Sequence, residues 1–297
     1  MSDHNAAVRV LLSHLVDYAG LFPPAQLEME MAVRQYAAYR VGPSSWMLGR
    51  FVVPASRLDH FARAATPHLV GGGDPWRLSA LLGDDPRAGA DAVAAFNASH
   101  RGAICDSVEA VANSVDDVAR IAGALRASDA TAYVEIPVRD DPAPLVDVIR
   151  AHKLRAKIRT GGTTLGAFPA PADVVRFIAA CIRAGIGFKA TAGLHHVVRG
   201  EYALTYEDNS PRGTMHGFLN VFLATALIRD GGDTRDAEAL LVERDASAFA
   251  FGPEGLRWRS VTFLAPRLAQ LRDRVACSFG SCSFAEPVDE LRTLRWV

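Results

Sequence analysis

The chain has 297 residues, 49% hydrophobic and 22% charged, a balance typical of a globular chain long enough to bury a large core. Its 32 Lys plus Arg nearly cancel its 33 Asp plus Glu, leaving a formal net charge of -1, so no global field favours nucleic acid or an anionic membrane as a partner. No apolar run approaches the roughly 18 residues of a bilayer span, and the opening MSDHNAAVRV lacks the basic-then-apolar order of a signal peptide, so a cytoplasmic location is expected.

Along the chain, short runs rich in Val, Ile and Phe alternate with stretches of helical period. The predicted strands fall at 16–22, 48–54, 77–83, 103–108, 132–138, 155–160, 186–192 and 277–283. Helices are expected between them at 25–40, 56–69, 86–100, 114–128, 142–153 and 171–185, several opened by Ser, Asp or Pro as caps require. Eight strand-helix units in one domain predict an α/β fold of the (β/α)8 TIM-barrel type over 1–297. A doubly wound open sheet is the alternative, although GxGxxG does not follow the first strand.

One step breaks the rhythm. Residues 197–275 separate the seventh strand from the eighth and read as a largely helical insertion, with helices at 214–230, 234–246 and 261–274. Two of these helices are expected to cap the barrel; AFAF (248–251) could instead be a ninth strand that shifts its register. The apolar helix FLNVFLATALI is equally readable as a dimer surface, so a homo-oligomer stays open.

Barrel strands are covered outside and filled inside, so they should read as near-continuous apolar runs. Three do not. In RAKIRT, Lys157 and Arg159 share a face; in IGFKATA, Lys189 and Thr191 do the same; in AICDSV, Asp106 stands among apolar neighbours. Ala156, Ile158, Phe188 and Ala190 take the opposite face, which points the charged residues inward. Unpaired, such charges cost several kcal/mol each. A lysine beside another cation in a partly dry site has a lowered pKa, and its neutral amine attacks carbonyl carbon. Lys157 is therefore the expected Schiff-base nucleophile, Lys189 the neighbour that lowers its pKa, and Asp106 the proton shuttle. The competing structural account is a buried salt-bridge network of Lys157, Arg159, Lys189, Asp106 and Glu135.

These residues resemble the class I, Schiff-base aldolases of the deoxyribose-phosphate aldolase type. The similar pieces are VDYAGLFPPAQL, FVVPASRL, AICDSV with Asp106, AKIRTGG with Lys157, Thr160 and Gly161, GFKATAGL with Lys189, and SFGSCSF with Gly280 and Ser281. The resemblance implies a cofactor-independent lyase that makes or breaks a carbon–carbon bond, and implies that Gly280 and Ser281 hold an anionic group of the substrate. The expected partner is a small carbonyl compound, phosphorylated or carboxylated, with no nucleic acid and no membrane.

Other candidates surround this core. His195 and His196 are read as loop or hydrogen-bonding residues, as groups for substrate-anion binding or proton transfer, or as metal ligands, and Arg50 as an anion contact or a salt-bridge partner of Glu135. His216 is expected to be a packing residue. No metal set emerges: the four cysteines, Cys105, Cys181, Cys277 and Cys282, show neither CxxC nor zinc-type Cys/His spacing. Two further functional classes remain, a metal-dependent hydrolase or lyase using His195 or His196 with carboxylates, and a non-catalytic anion-binding barrel.

Overall fold

A computed structural model describes residues 4–69 and 73–297. An N-terminal helix α1 (His4–Leu12) precedes β1 (Val16–Tyr18). Strand-helix units then follow in order: α2 (Met29–Val41), β2 (Leu48–Pro54), α3 (Leu58–Ala65), β3 (Trp76–Leu81), α4 (Pro86–Ser99), β4 (Ala103–Val111), α5 (Val115–Ala124), β5 (Thr131–Glu135), α6 (Ala143–Ala151), β6 (Arg155–Arg159), α7 (Pro171–Ala184) and β7 (Phe188–Thr191).

The segment after β7 carries a hairpin of β8 (Gly200–Ala203) and β9 (Arg212–Met215), then α8 (Phe218–Arg229) and α9 (Thr234–Leu241). Next come β10 (Phe249–Phe251), β11 (Gly255–Trp258), β12 (Val261–Leu264) and α10 (Ala265–Arg274). The last strand, β13 (Ala276–Ser281), and α11 (Ala285–Thr293) complete the chain.

Strands β1 to β7 and β13 pair in parallel around a closed ring, β13 joining β7 to β1. This is the expected (β/α)8 barrel. The segment between its seventh and eighth strands contains α8, α9 and α10, but it also holds five short strands in two small antiparallel sheets. AFAF therefore makes no ninth barrel strand; as β10 it pairs with β11 outside the ring. Helix α8 is neither a lid nor an open dimer face. Its residues from Phe218 to Leu227 are buried, Phe218 stacks on Phe279 at 5.0 Å, and it packs on α7, α9 and α10 as the covering helix that follows β7.

Local chemistry explains the helix boundaries. Asp85 caps α4 by accepting from the Arg87 and Ala88 amides, with Pro86 supplying a preset first turn. Ser114 and Asp117 form a reciprocal capping box on α5. Helix α7 ends at Gly185, whose φ of +67° is costly for residues bearing a Cβ. Contrary to the expectation that no apolar run approaches a bilayer span, the stretch Leu165–Ala184 has the length and apolar composition of one. Here its Val174, Phe177, Ile178 and Cys181 are buried against the barrel, each large apolar side chain stabilising the fold by about 1.5–3 kcal/mol.

Alternation sorts the strand residues. Val16 and Tyr18 belong to the apolar core, where Tyr18, Tyr36, Phe51, Phe61 and Trp76 form a connected aromatic layer, while Asp17 between them reaches Lys189 and Ser278 across the ring. Much of the interior is thus filled by paired polar and charged side chains instead of the branched apolar layers usual in such barrels.

Candidate active site

Strands β6 and β7 run in register with Lys157 opposite Lys189, so both side chains enter the ring at one level. Lys157 donates to Glu109 Oε2 at 2.7 Å and Glu135 Oε2 at 2.9 Å. Lys189 donates to Asp17 Oδ2 at 2.6 Å and Glu109 Oε1 at 2.7 Å, and lies 5.6 Å from the Tyr133 ring centre. Glu109 on β4 therefore bridges the two amines, one oxygen to each. Ser79 donates to Glu109 at 2.6 Å, and Ser278 and the Arg50 amide donate to Asp17 at 2.8 Å each. Arg159 closes the series by donating to Glu135 at 3.1 Å.

This arrangement corrects the expectation of a lysine kept neutral by its neighbour. Burial by itself favours the neutral amine, but the attraction of Glu109 and Glu135 outweighs it and raises the pKa of Lys157. Lys189 behaves alike: burial works against its charge, and Asp17 and Glu109 overcome it and push the pKa up. The same pairing wins over burial in the opposite direction for Glu109, Asp17 and Glu135, all held below their ordinary values. Both amines rest as ammonium ions. With Arg159, three cations face three carboxylates, so the cluster has no surplus positive charge with which to act as an anion receptor.

The cluster lines a cavity of about 260 Å³ at the carboxyl ends of the strands, the face on which barrel enzymes work. Glu109, Lys157 and Lys189 line it together with the apolar Phe22, Pro23 and Val52 and with Arg159, Thr191, His195, Gly280 and Cys282. A second chamber of about 390 Å³ meets it at Leu81, Glu109, Lys157 and Arg159. The loops after β6 and β7 approach closely because glycines meet: a Cβ on Gly193, already at φ +69°, would lie 2.8 Å from the Gly161 Cα.

Several predicted site residues are placed elsewhere. Asp106 lines neither chamber; it sits at a bulge in the amino half of β4, where Arg50 Nε at 2.6 Å and Arg77 Nε at 2.6 Å hold it. Arg50 accordingly pairs with Asp106, not Glu135, and lines neither chamber. Strand β4 runs three residues past its predicted end, so the carboxylate at its carboxyl half is Glu109. Thr160 is fully buried and donates to the Ala192 carbonyl at 2.6 Å, tying the loops together. Gly161 packs against Phe168 and Gly193, while Gly162 and Thr163 line the cavity.

Ser281 is buried and its hydroxyl donates to the Ser283 carbonyl at 2.6 Å, which leaves Gly280 as the lining residue of that pair. His195 lines the cavity, whereas His196 stacks on Tyr202 and bonds to Glu290 at 2.8 Å. His216 is a packed structural residue bonded to the Pro169 carbonyl, and burial lowers its pKa to about 4. Among the described residues, no three His, Cys, Asp or Glu side chains converge on a metal-binding geometry.

Glu109 is the main residue that strand reading missed. The signal was present: Ser107 and Glu109 alternate on one face of SVEAV, opposite Ser79 and Leu81 of β3. Glu286 and Tyr206, which reach the His195 side of the cavity from a helix and a loop, carry no such periodic signal. No protein-family model, curated protein or solved structure matches the chain.

Proposed function

We propose that the protein is a lyase of the Schiff-base aldolase type, making or breaking a carbon–carbon bond in a small carbonyl substrate with Lys157 as the nucleophile. The observation that carries this reading is the lysine-carboxylate cluster lining the cavity, where Lys157 is the amine open to both chambers. Its side chain is 6% exposed against 1% for Lys189, which Asp17, Glu109 and Tyr133 enclose.

The raised pKa of Lys157 requires a proton transfer before attack. Glu135 is the better acceptor, because Glu109 is pinned in its ionised form by two ammonium groups. A carbonyl carbon at Lys157 draws that transfer forward by consuming the amine. The carbinolamine then takes the proton back from Glu135 and loses water, so that ammonium plus carbonyl become iminium plus water with charge conserved. The iminium accepts the electron pair of the bond beside it when the substrate is cleaved, and the enamine returns that pair when a bond is made. No cofactor is required for these steps.

Incubation with borohydride and a panel of neutral, phosphorylated and carboxylated aldehydes and ketones tests the reading. The expected result is a reduced adduct mapped to Lys157 by peptide mass, lost in Lys157→Ala together with about 10³-fold or more of turnover. Undiminished turnover in Lys157→Ala overturns the assignment.

A further inference from the structure

Around His195, which lines the same cavity, lies a second array of ionisable groups that the lysine chemistry does not use. His195 is buried yet lines the cavity. Its Nδ1 lies 3.1 Å from Ser281 Oγ, 3.4 Å from Glu286 Oε2 and 3.7 Å from Cys282 Sγ. Tyr206, from the loop between β8 and β9, reaches Cys282 Sγ at 3.4 Å. Because the Ser281 hydroxyl donates its hydrogen to the Ser283 carbonyl, it can only accept from His195, so Nδ1 carries a hydrogen in either protonation state. Among the described residues the remaining nitrogen, Nε2, has no hydrogen-bond partner, and it is the atom left to gain or lose a proton.

We infer that His195 is the general acid-base residue that serves the oxygen of the second carbonyl partner, with Glu286 as the residue that positions it. This rests on the Schiff-base reading and assigns the step that the lysine cluster leaves open. As the enamine on Lys157 attacks an aldehyde, the new carbon–carbon bond takes the enamine electron pair, the aldehyde oxygen takes the proton from Nε2, and the iminium reforms. Charge is conserved, since imidazolium and neutral enamine become imidazole and iminium. Cleavage reverses the transfer and needs the neutral ring.

The resting ring favours the first direction. Burial opposes its charge, but the bonds to Cys282 and Glu286 prevail and hold the pKa up at about 10. The groups around it are Ser281 and Cys282 at the end of β13, Glu286 on α11, Tyr206 on the hairpin loop, and His196, whose ring centre is 6.5 Å away and which is itself bonded to Glu290. The substrate class that fits is an aldol, a carbonyl compound whose hydroxyl sits on the far carbon of the bond to be broken, since Lys157 and His195 line the same cavity.

Acetone and acetaldehyde test this directly. Acetone in deuterated water reports iminium and enamine formation through exchange of its methyl hydrogens, and borohydride traps the iminium on Lys157. Addition of acetone to acetaldehyde, followed as 4-hydroxypentan-2-one, reports the bond-making step.

The expected result for His195→Gln is a split: addition falls about 100-fold while exchange and trapping stay within a few-fold of wild type. In Glu286→Gln, the alkaline limb of the addition rate moves down from about 10 towards the ordinary histidine range, a shift that a purely structural role would not produce. Equal loss of exchange and addition in His195→Gln, an unchanged addition rate, or exchange without addition in the wild type overturns the inference. Absence of exchange and trapping in the wild type instead overturns the Schiff-base reading beneath it, and this inference with it.

Discussion

The two halves of the barrel interior both carry charged side chains, and they do different work. Towards the carboxyl ends, Asp17, Glu109, Glu135, Lys157 and Lys189 come from five strands and are nearly all sealed from water, and Glu109, Lys157 and Lys189 among them line a cavity. Towards the amino ends, Arg50, Arg77 and Asp106 come from three strands, and the side chains of Arg77 and Asp106 are 50% and 26% exposed. A charge in a strand therefore marks a candidate site only when its partners are also dry and a space opens beside it. The first cluster carries a large desolvation cost, offset only while every partner is present; the second leans on water.

Removing one member of each cluster should expose this difference. Lys189→Met leaves Asp17 and Glu109 facing an apolar chain, and is expected to destabilise the fold by about 3–5 kcal/mol, read as a lowered denaturant midpoint. Combining it with Asp17→Asn should recover part of the loss, because the stranded charge goes with its partner. Additive losses would show that the two residues do not interact.

Acid should separate the clusters next. Asp17, Glu109 and Glu135 have folded pKa values below their unfolded values near 4, so their contribution is fully present above about pH 5 and is lost as pH falls through the folded values. The lysines have raised values, so their contribution is present below about 10.4 and lost only as pH rises beyond that. The denaturation midpoint should thus fall steeply only below pH 4 on the acid side. A Glu109→Gln variant should lose much of that acid sensitivity.

A smaller, alkaline slope belongs to His195. Its pKa rises from an unfolded value of about 6.5 to about 10, so the stability it supplies is complete below 6.5 and disappears as pH climbs through 10. His195→Gln should flatten that slope in the same denaturation series, and an unaltered slope would assign it to other groups. The smallest effect is expected at the amino end: Asp106→Asn should cost about 1 kcal/mol and leave borohydride trapping on Lys157 at the wild-type yield. Loss of trapping in that variant would return Asp106 to the chemistry.

Much of the site was legible because strands have a period of two. Lys157 and Arg159, and Lys189 and Thr191, could be assigned to the inner face from alternation with Ile158 and Ala190 alone, and the register of β6 and β7 then sets the two lysines side by side. Asp106 misled because a bulge in β4 interrupts that period, placing Ser107 opposite Ser79 and bringing Glu109, not Asp106, into the cluster. Glu286 and Tyr206 reach His195 from α11 and a hairpin loop, contacts for which sequence distance gives no rule.

Local periodicity and the order of the elements are enough to specify the parallel barrel, the inward lysines and the extra segment before the last strand. Which carboxylates meet the amines, and hence that both lysines rest charged, follows from contacts that form only on folding. Pairing across five strands depends on register and closure of the ring, and at separations under 3 Å in a dry interior the identity of the nearest partner outweighs burial in setting protonation.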